Sequence, residues 1–291
     1  MAAESLTTEH APTASEYIVH HLTHLTSGHQ KGPFDLSVVN VDTLIWSIAI
    51  GVIGSLLMFL AARRATSGVP GRFQAMVEIV VEMVEDQSKS IVHGNRTFIA
   101  PLALTVFVWV LLMNSLDFLP VDLFHKLFGV LGIEHNVEFF RIVPTADLNG
   151  TLGISLGVLL LMLFYNIKIK GAGGWTHELF TAPFGTSKNP LFAIPLGIVN
   201  FAMQLIEFVA KTVSLAMRLF GNMYAGELLF MLIALLGATW TGFNTQSILL
   251  GGAHLVAGSV WAIFHILIVV LQAFIFMMLT LVYIGQAHEA H

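Results

Sequence analysis

The sequence predicts an all-α polytopic membrane protein. It has five transmembrane crossings, one amphipathic helix on the cytoplasmic side, and a last pair of helices forming a long, tilted antiparallel hairpin. Three observations predict it. Hydrophobic residues fill 56% of the 291 positions and charged residues only 11%, against about 25% charged in a soluble domain. Runs of 20 residues without Asp, Glu, Lys or Arg recur along the chain, and about 20 apolar residues cross the hydrocarbon of a bilayer. Between Glu227 and Glu289 there is no fixed charge at all.

Composition also closes off several classes of function. The net charge of −5 is scattered and forms no basic patch, so nucleic acid is not an expected partner. The absence of Cys excludes disulfides, thiolate chemistry and Cys-ligated metals. The N-terminal MAAESLTTEHAPTASEYIVHHL lacks a basic n-region and an apolar h-region, so no cleaved signal peptide is expected.

Residues 1–42 read as a polar tail, with five acids and Lys31 as the one Lys or Arg. His20, His21 and His24 define no ligand set and read as surface histidines of a mobile tail, so neither metal nor cofactor is expected. A single transmembrane domain over 43–288 follows. Thr43 to Ala62 is the first charge-free run and ends at Arg63-Arg64, a cytoplasmic flank. Over 73–92, Phe73, Met76, Val80, Met83, Val84 and Ile91 recur at helical spacing, opposite Glu78, Glu82, Glu85 and Lys89. This amphipathic helix is acidic on its polar face, so it suits packing against protein better than anionic lipid.

Thr97 to Leu116 is the second run, with Asn114 and Asp117 at its far end. Leu148 to Ile167 is the third, closed by Lys168 and Lys170. Gly171, Gly173, Gly174, Pro183 and Pro190 predict a loop over 168–190. Two long helices then follow, over about 189–236 and 247–286, joined by a turn in GATWTGFNTQ at 237–246. The segments 63–96 and 168–188 hold five and three Lys/Arg, while 1–42 and 117–147 hold one and two. The positive-inside rule therefore places the N-terminus outside and the C-terminus in the cytoplasm.

The chemistry-bearing residues sit in the last two helices. Glu207, Lys211, Ser214, Arg218 and Asn222 fall on one face at about 100° per residue. An Arg in an apolar span costs roughly 2.5–3.5 kcal/mol on insertion scales and marks a functional site. The plainer reading is snorkelling to the headgroups, which suits Lys211 better than Arg218. Ser214 and Asn222 serve equally as hydrogen bonds between helices. An antiparallel hairpin turning about residue 245 brings Arg218 level with Gln272, and Glu227 level with His265. Glu227 nevertheless points about 180° away from Arg218. A Glu level with a His is a candidate proton relay, the plainer reading of His265 being a core histidine bonded to a carbonyl. Arg218 holds a fixed positive charge and cannot itself pass protons.

SLAMRLFGNMYAGELL (214–229) and WAIFHILIVVLQAFIFMMLTLVYI (261–284) strongly resemble subunit a of bacterial F-type ATP synthases. MNSLDFLPVDL (113–123) and RIVPTADLNGTLG (141–153) look like further stretches of that family, and the resemblance spans about 40–288. It implies a non-catalytic stator subunit in the bacterial inner membrane, facing a ring of c subunits and joined by peripheral-stalk b subunits and the remainder of the synthase. The outer side, with the N-terminus, is then the periplasm. It implies that Arg218 is the essential arginine that faces the ring carboxylates. Glu227, His265, Asn222, Gln272, Asn114 and Asp117 then belong to the periplasmic half-channel. Ser214, Lys211 and Glu207 belong to the cytoplasmic path, Glu207 matching the family pattern least closely. The rival is a proton-coupled secondary transporter with an anionic substrate at Arg218, which would favour paired broken helices in two repeated halves. An intramembrane hydrolase is a third reading, but His288-Glu289-Ala290-His291 has the wrong spacing for a zinc HExxH.

Overall fold

The computed structural model describes residues 22–28, 38–92, 97–119, 141–186, 190–238 and 242–288, with positions 18, 123, 129, 130, 132 and 240 besides. Within them the chain forms six α-helices and no strand beyond an isolated bridge between Thr26 and Asn40. The helices are α1 (Val41–Arg63), α2 (Arg72–Ile91), α3 (Ile99–Ser115), α4 (Leu148–Thr181), α5 (Pro190–Ala238) and α6 (Thr245–Gly285). All but α2 are long and apolar enough to cross a membrane. His20 and His21 lie outside the described residues.

The elements begin and end where local chemistry says they should. Asp147 caps α4 by accepting the Asn149 N–H at 2.9 Å, and Asn244 caps α6 by accepting that of Ser247 at 2.7 Å. Pro195 lies in the second turn of α5, where losing one hydrogen bond does not stop a helix of 49 residues. At 1.5 Å per residue α5 is roughly 74 Å long and α6 roughly 62 Å, well beyond about 30 Å of hydrocarbon. Both therefore cross obliquely or project past it.

The predicted loop over 168–190 is not what forms. Helix α4 continues to Thr181, interrupted only at Gly171, whose φ of 73° is open to glycine and strained for other residues. One residue suffices for the break, and Gly173 and Gly174 stay helical. The true connection is shorter and is pinned by Asn200, fully buried on α5. Its Nδ2 donates to the carbonyls of Phe180 (2.9 Å) and Gly185 (3.1 Å), and its Oδ1 accepts from the Phe184 N–H (3.2 Å).

Helix α4 packs along α5, α3 along α6, and α5 against α6, while α1 and α2 lean on α3. The core between them is aliphatic and sulfur-rich, with Met113, Leu215, Leu219, Met223, Phe276, Met277 and Leu281 fully or almost fully buried. Outward faces stay apolar, as lipid demands; Ile48, Leu160, Leu249 and Ile263 are all more than half exposed. Helix α2 buries Val84 and Ser88 in its second half, but Phe73, Met76 and Ile79 remain exposed in its first.

The hairpin register follows one rule. Gly226 meets His265, Phe230 meets Trp261, Ile233 meets Gly258, Gly237 meets His254 and Trp240 meets Gly251. Each step forward on α5 is matched by an equal step back on α6, about a centre near residue 245. This is the predicted register.

Candidate functional site

Helix α5 carries the predicted polar stripe on a face that the other described residues leave partly open. Glu207 and Ser214 are exposed, and Lys211, Arg218 and Asn222 are half-buried. Near the C-terminal end of the chain, Lys211 Nζ lies 2.6 Å from Glu207 and donates to Gln286 Oε1 at 2.8 Å. It also lies 5.4 Å from the Tyr283 ring centroid. A cavity of about 570 Å³ opens beside them, lined by Lys170, Glu178, Glu207, Lys211 and Gln286 among others. Lys170 Nζ donates to both Glu178 oxygens at 2.8 Å on its wall. This end is wide and charged with both signs.

Arg218 lies about 16 Å beyond Glu207, and about 10 Å beyond Lys211, along the axis at about 1.5 Å per residue. It sits between the buried Leu215 and Leu219. Among the described residues it has no hydrogen-bond acceptor and no carboxylate partner. A guanidinium is permanently charged and donates only. An unpaired one on an open helix face in an apolar span is a site waiting for an anion.

A second polar cluster lies about 13 Å beyond Arg218, toward the hairpin turn. Glu227, buried, accepts from Arg141 Nε at 3.1 and 3.3 Å and also from Arg141 Nη2. Arg141 Nη1 faces His24 Nε2 at 3.0 Å, and the His24 Nδ1 is 3.2 Å from Asp42 Oδ2. Asp42, fully buried at the start of α1, also accepts the backbone N–H groups of Leu25 and Arg141, each at 3.1 Å. The Tyr224 ring covers the guanidinium at 5.5 Å.

Next to this cluster His265 is fully buried, boxed by Phe118, Phe230 and Trp261 with ring centroids 5.1–5.9 Å away. Its Nε2 is 2.6 Å from Asp117 Oδ2, an ion-pair distance at which the two groups lie off the hydrogen-bonding direction. Asn114 Nδ2 reaches the Val269 carbonyl at 3.5 Å, while its Oδ1 has no partner among the described residues. Gln272 is buried one face along α6. Carboxylates and an imidazole within a few ångströms of each other can exchange protons; the guanidinium among them can only hold charge.

Geometry corrects the simplest form of the relay. Glu227 and His265 do stand level, but Gly226 faces His265 so closely that a Cβ there would overlap the ring. One residue on, Glu227 is turned about 100° away, onto Arg141, and His265 takes Asp117 instead. The two titratable groups are neighbours through other residues. His24 is likewise no free surface histidine, being held between Arg141 and Asp42. Sequence reasoning passed over Arg141, Asp42 and His24 as loop and tail charges. Their only signal was an Arg and an Asp beside the ends of apolar runs, in segments assigned to the same side of the membrane.

The sequence model of the family described as ATP synthase A chain matches residues 44–285. Among curated proteins, "ATP synthase subunit a" of Acidovorax sp. (strain JS42) is 63% identical, and that of Paracidovorax citrulli (strain AAC00-1) 60%, each over the whole of both chains. The protein of the same name from Chromobacterium violaceum is 48% identical, over 97% of this chain and 100% of its own length.

Proposed function

The chain belongs to the ATP synthase A chain family, and from that premise we propose how its geometry moves protons. It is a non-catalytic, proton-translocating stator subunit in the membrane sector of a bacterial F-type ATP synthase, a multi-pass inner-membrane protein working within that complex. A secondary transporter with an anionic substrate is not favoured. The single observation that carries the mechanism is the position of Arg218, half-buried and without a partner among the described residues, with one polar cluster toward each end of the same helix.

In this reading the partner that covers the stripe is the ring of c subunits, and the anion Arg218 awaits is a ring carboxylate. The peripheral-stalk b subunits hold the chain against the rotation. Protons enter from the periplasm at the Glu227 cluster, where His265, Asp117, Asn114, Asn222 and Gln272 line the path. A ring carboxylate that takes a proton becomes neutral and can turn through lipid at little cost. On its return it passes Ser214, meets the cavity lined by Lys211 and Glu207, and releases the proton to the cytoplasm. Arg218 stands between the two paths and keeps a protonated site from slipping straight across. Each proton falling through the full potential contributes about 2.3 kcal/mol per 100 mV, and the offset of the two paths turns that into rotation. The N-terminus is then periplasmic and the C-terminus cytoplasmic.

The uptake half is tested by Glu227→Gln and His265→Ala in vesicles bearing the complex stripped of its catalytic head. Both should slow passive proton flux while the chain still assembles. Unchanged flux in both variants would remove these residues from the path.

A further inference from the structure

We propose that His24 is a positioning residue of the proton-uptake path: its neutral imidazole is the second acceptor that keeps the Arg141 guanidinium in place whenever Glu227 takes up a proton. The proposal rests on the reading of Glu227 as a proton carrier.

The neighbours of His24 dictate its tautomer. Arginine donates and never accepts, so the contact of 3.0 Å between Arg141 Nη1 and His24 Nε2 requires a lone pair on Nε2. The ring hydrogen is then on Nδ1, facing Asp42 Oδ2 at 3.2 Å. The side chain of His24 is 17% exposed, while those of Asp42, Arg141 and Glu227 are 0%, 5% and 10% exposed. His24 is therefore the member of the chain that water reaches most easily.

A carrier must let go of its partner. As Glu227 gains a proton, its hold on Arg141 weakens and a buried guanidinium is left short of an acceptor, which is strongly unfavourable. Among the described residues the remaining side-chain acceptor for Arg141 is His24 Nε2, with the Asp42 carboxylate behind it and the Tyr224 ring alongside. Every element packed around His24 adds to this balance: Asp42 from α1, Arg141 from the segment before α4, and Glu227 from α5. Asp117 acts on Glu227 from the far side, and Asp147 is engaged by Asn40 and Thr43, each at 2.8 Å. A protonated His24 would turn an N–H toward the N–H of Arg141 and lose the acceptor role.

The test uses the intact complex in vesicles, measuring ATP synthesis per assembled complex at a fixed driving force. His24→Ala removes the acceptor; His24→Gln keeps one that does not titrate. At about pH 8 on the uptake side, His24→Ala should be about tenfold slower, the effect of losing a hydrogen bond to a charged group, and His24→Gln within about twofold of wild type. A wild-type rate in His24→Ala, or a His24→Gln as slow as His24→Ala, would each overturn the proposal. Glu227→Gln, run alongside, separates the two levels. If it synthesises ATP at the wild-type rate, the reading of Glu227 fails; if it is slow while His24→Ala is normal, only the role of His24 fails.

Discussion

An Arg141→Met substitution removes the guanidinium from Glu227 while keeping most of the side-chain length. The backbone N–H of Arg141 still bonds to Asp42 at 3.1 Å, so the segment stays anchored and the loss is confined to the side chain. That loss comprises the Nε bonds to Glu227 at 3.1 and 3.3 Å, the Nη2 bond, and the contacts with His24 and Tyr224. Both partners are at most one-tenth exposed, at 5% and 10%, so water cannot replace the missing cation. Breaking a buried pair from one side costs about 3–5 kcal/mol, whereas replacing both charges is often close to neutral. Arg141→Met should therefore cost that amount, and Arg141→Met with Glu227→Gln much less, a coupling of about 2–3 kcal/mol. Equilibrium unfolding in mixed micelles of wild type, both single variants and the double variant measures the cycle. Additivity within about 0.5 kcal/mol would refute the claim that the two side chains form one buried unit.

Two further outcomes are expected. Gly226→Ala should displace the His265 ring, destabilise the hairpin by about 1–3 kcal/mol and slow proton flux with Glu227 still present; unfolding and flux assays read the two effects, and a neutral substitution would contradict the close approach. Cysteines introduced as Gln30→Cys and His288→Cys should label from opposite sides of the membrane, and labelling from one side would overturn the proposed orientation.

Much of the fold was legible in the sequence because a membrane leaves few options. Hydrocarbon tolerates helices and little else, so charge-free runs named α1, α3 and the start of α4 within a few residues. The hairpin register was legible for a geometric reason: two antiparallel helices sharing a turn near 245 can align in only one way. Periodicity says nothing about which loop residue reaches which helix. Arg141 is 86 positions from Glu227 and 99 from Asp42 in sequence, and no spacing rule links them. The break at Gly171 was misjudged for the opposite reason. Several glycines and prolines all signal a loop, but the helix needed only one residue in the left-handed region. Glu227 shows how fine the margin is, since a single helical position decides whether a carboxylate faces His265 or Arg141.

The central claim is that Arg218 separates two proton paths and faces a passing carboxylate, and Arg218→Ala in the reconstituted complex tests it most directly. Among the described residues this guanidinium has no hydrogen-bond or ion-pair partner, so its removal should leave assembly intact and relieve an insertion cost of roughly 2.5–3.5 kcal/mol. Coupled ATP synthesis and passive proton flux should then part company. Synthesis should be abolished, Arg218→Lys should not restore it because an ammonium lacks the planar fork, and passive flux should persist or rise as the barrier disappears. An Arg218→Ala complex that makes ATP at the wild-type rate would contradict the account.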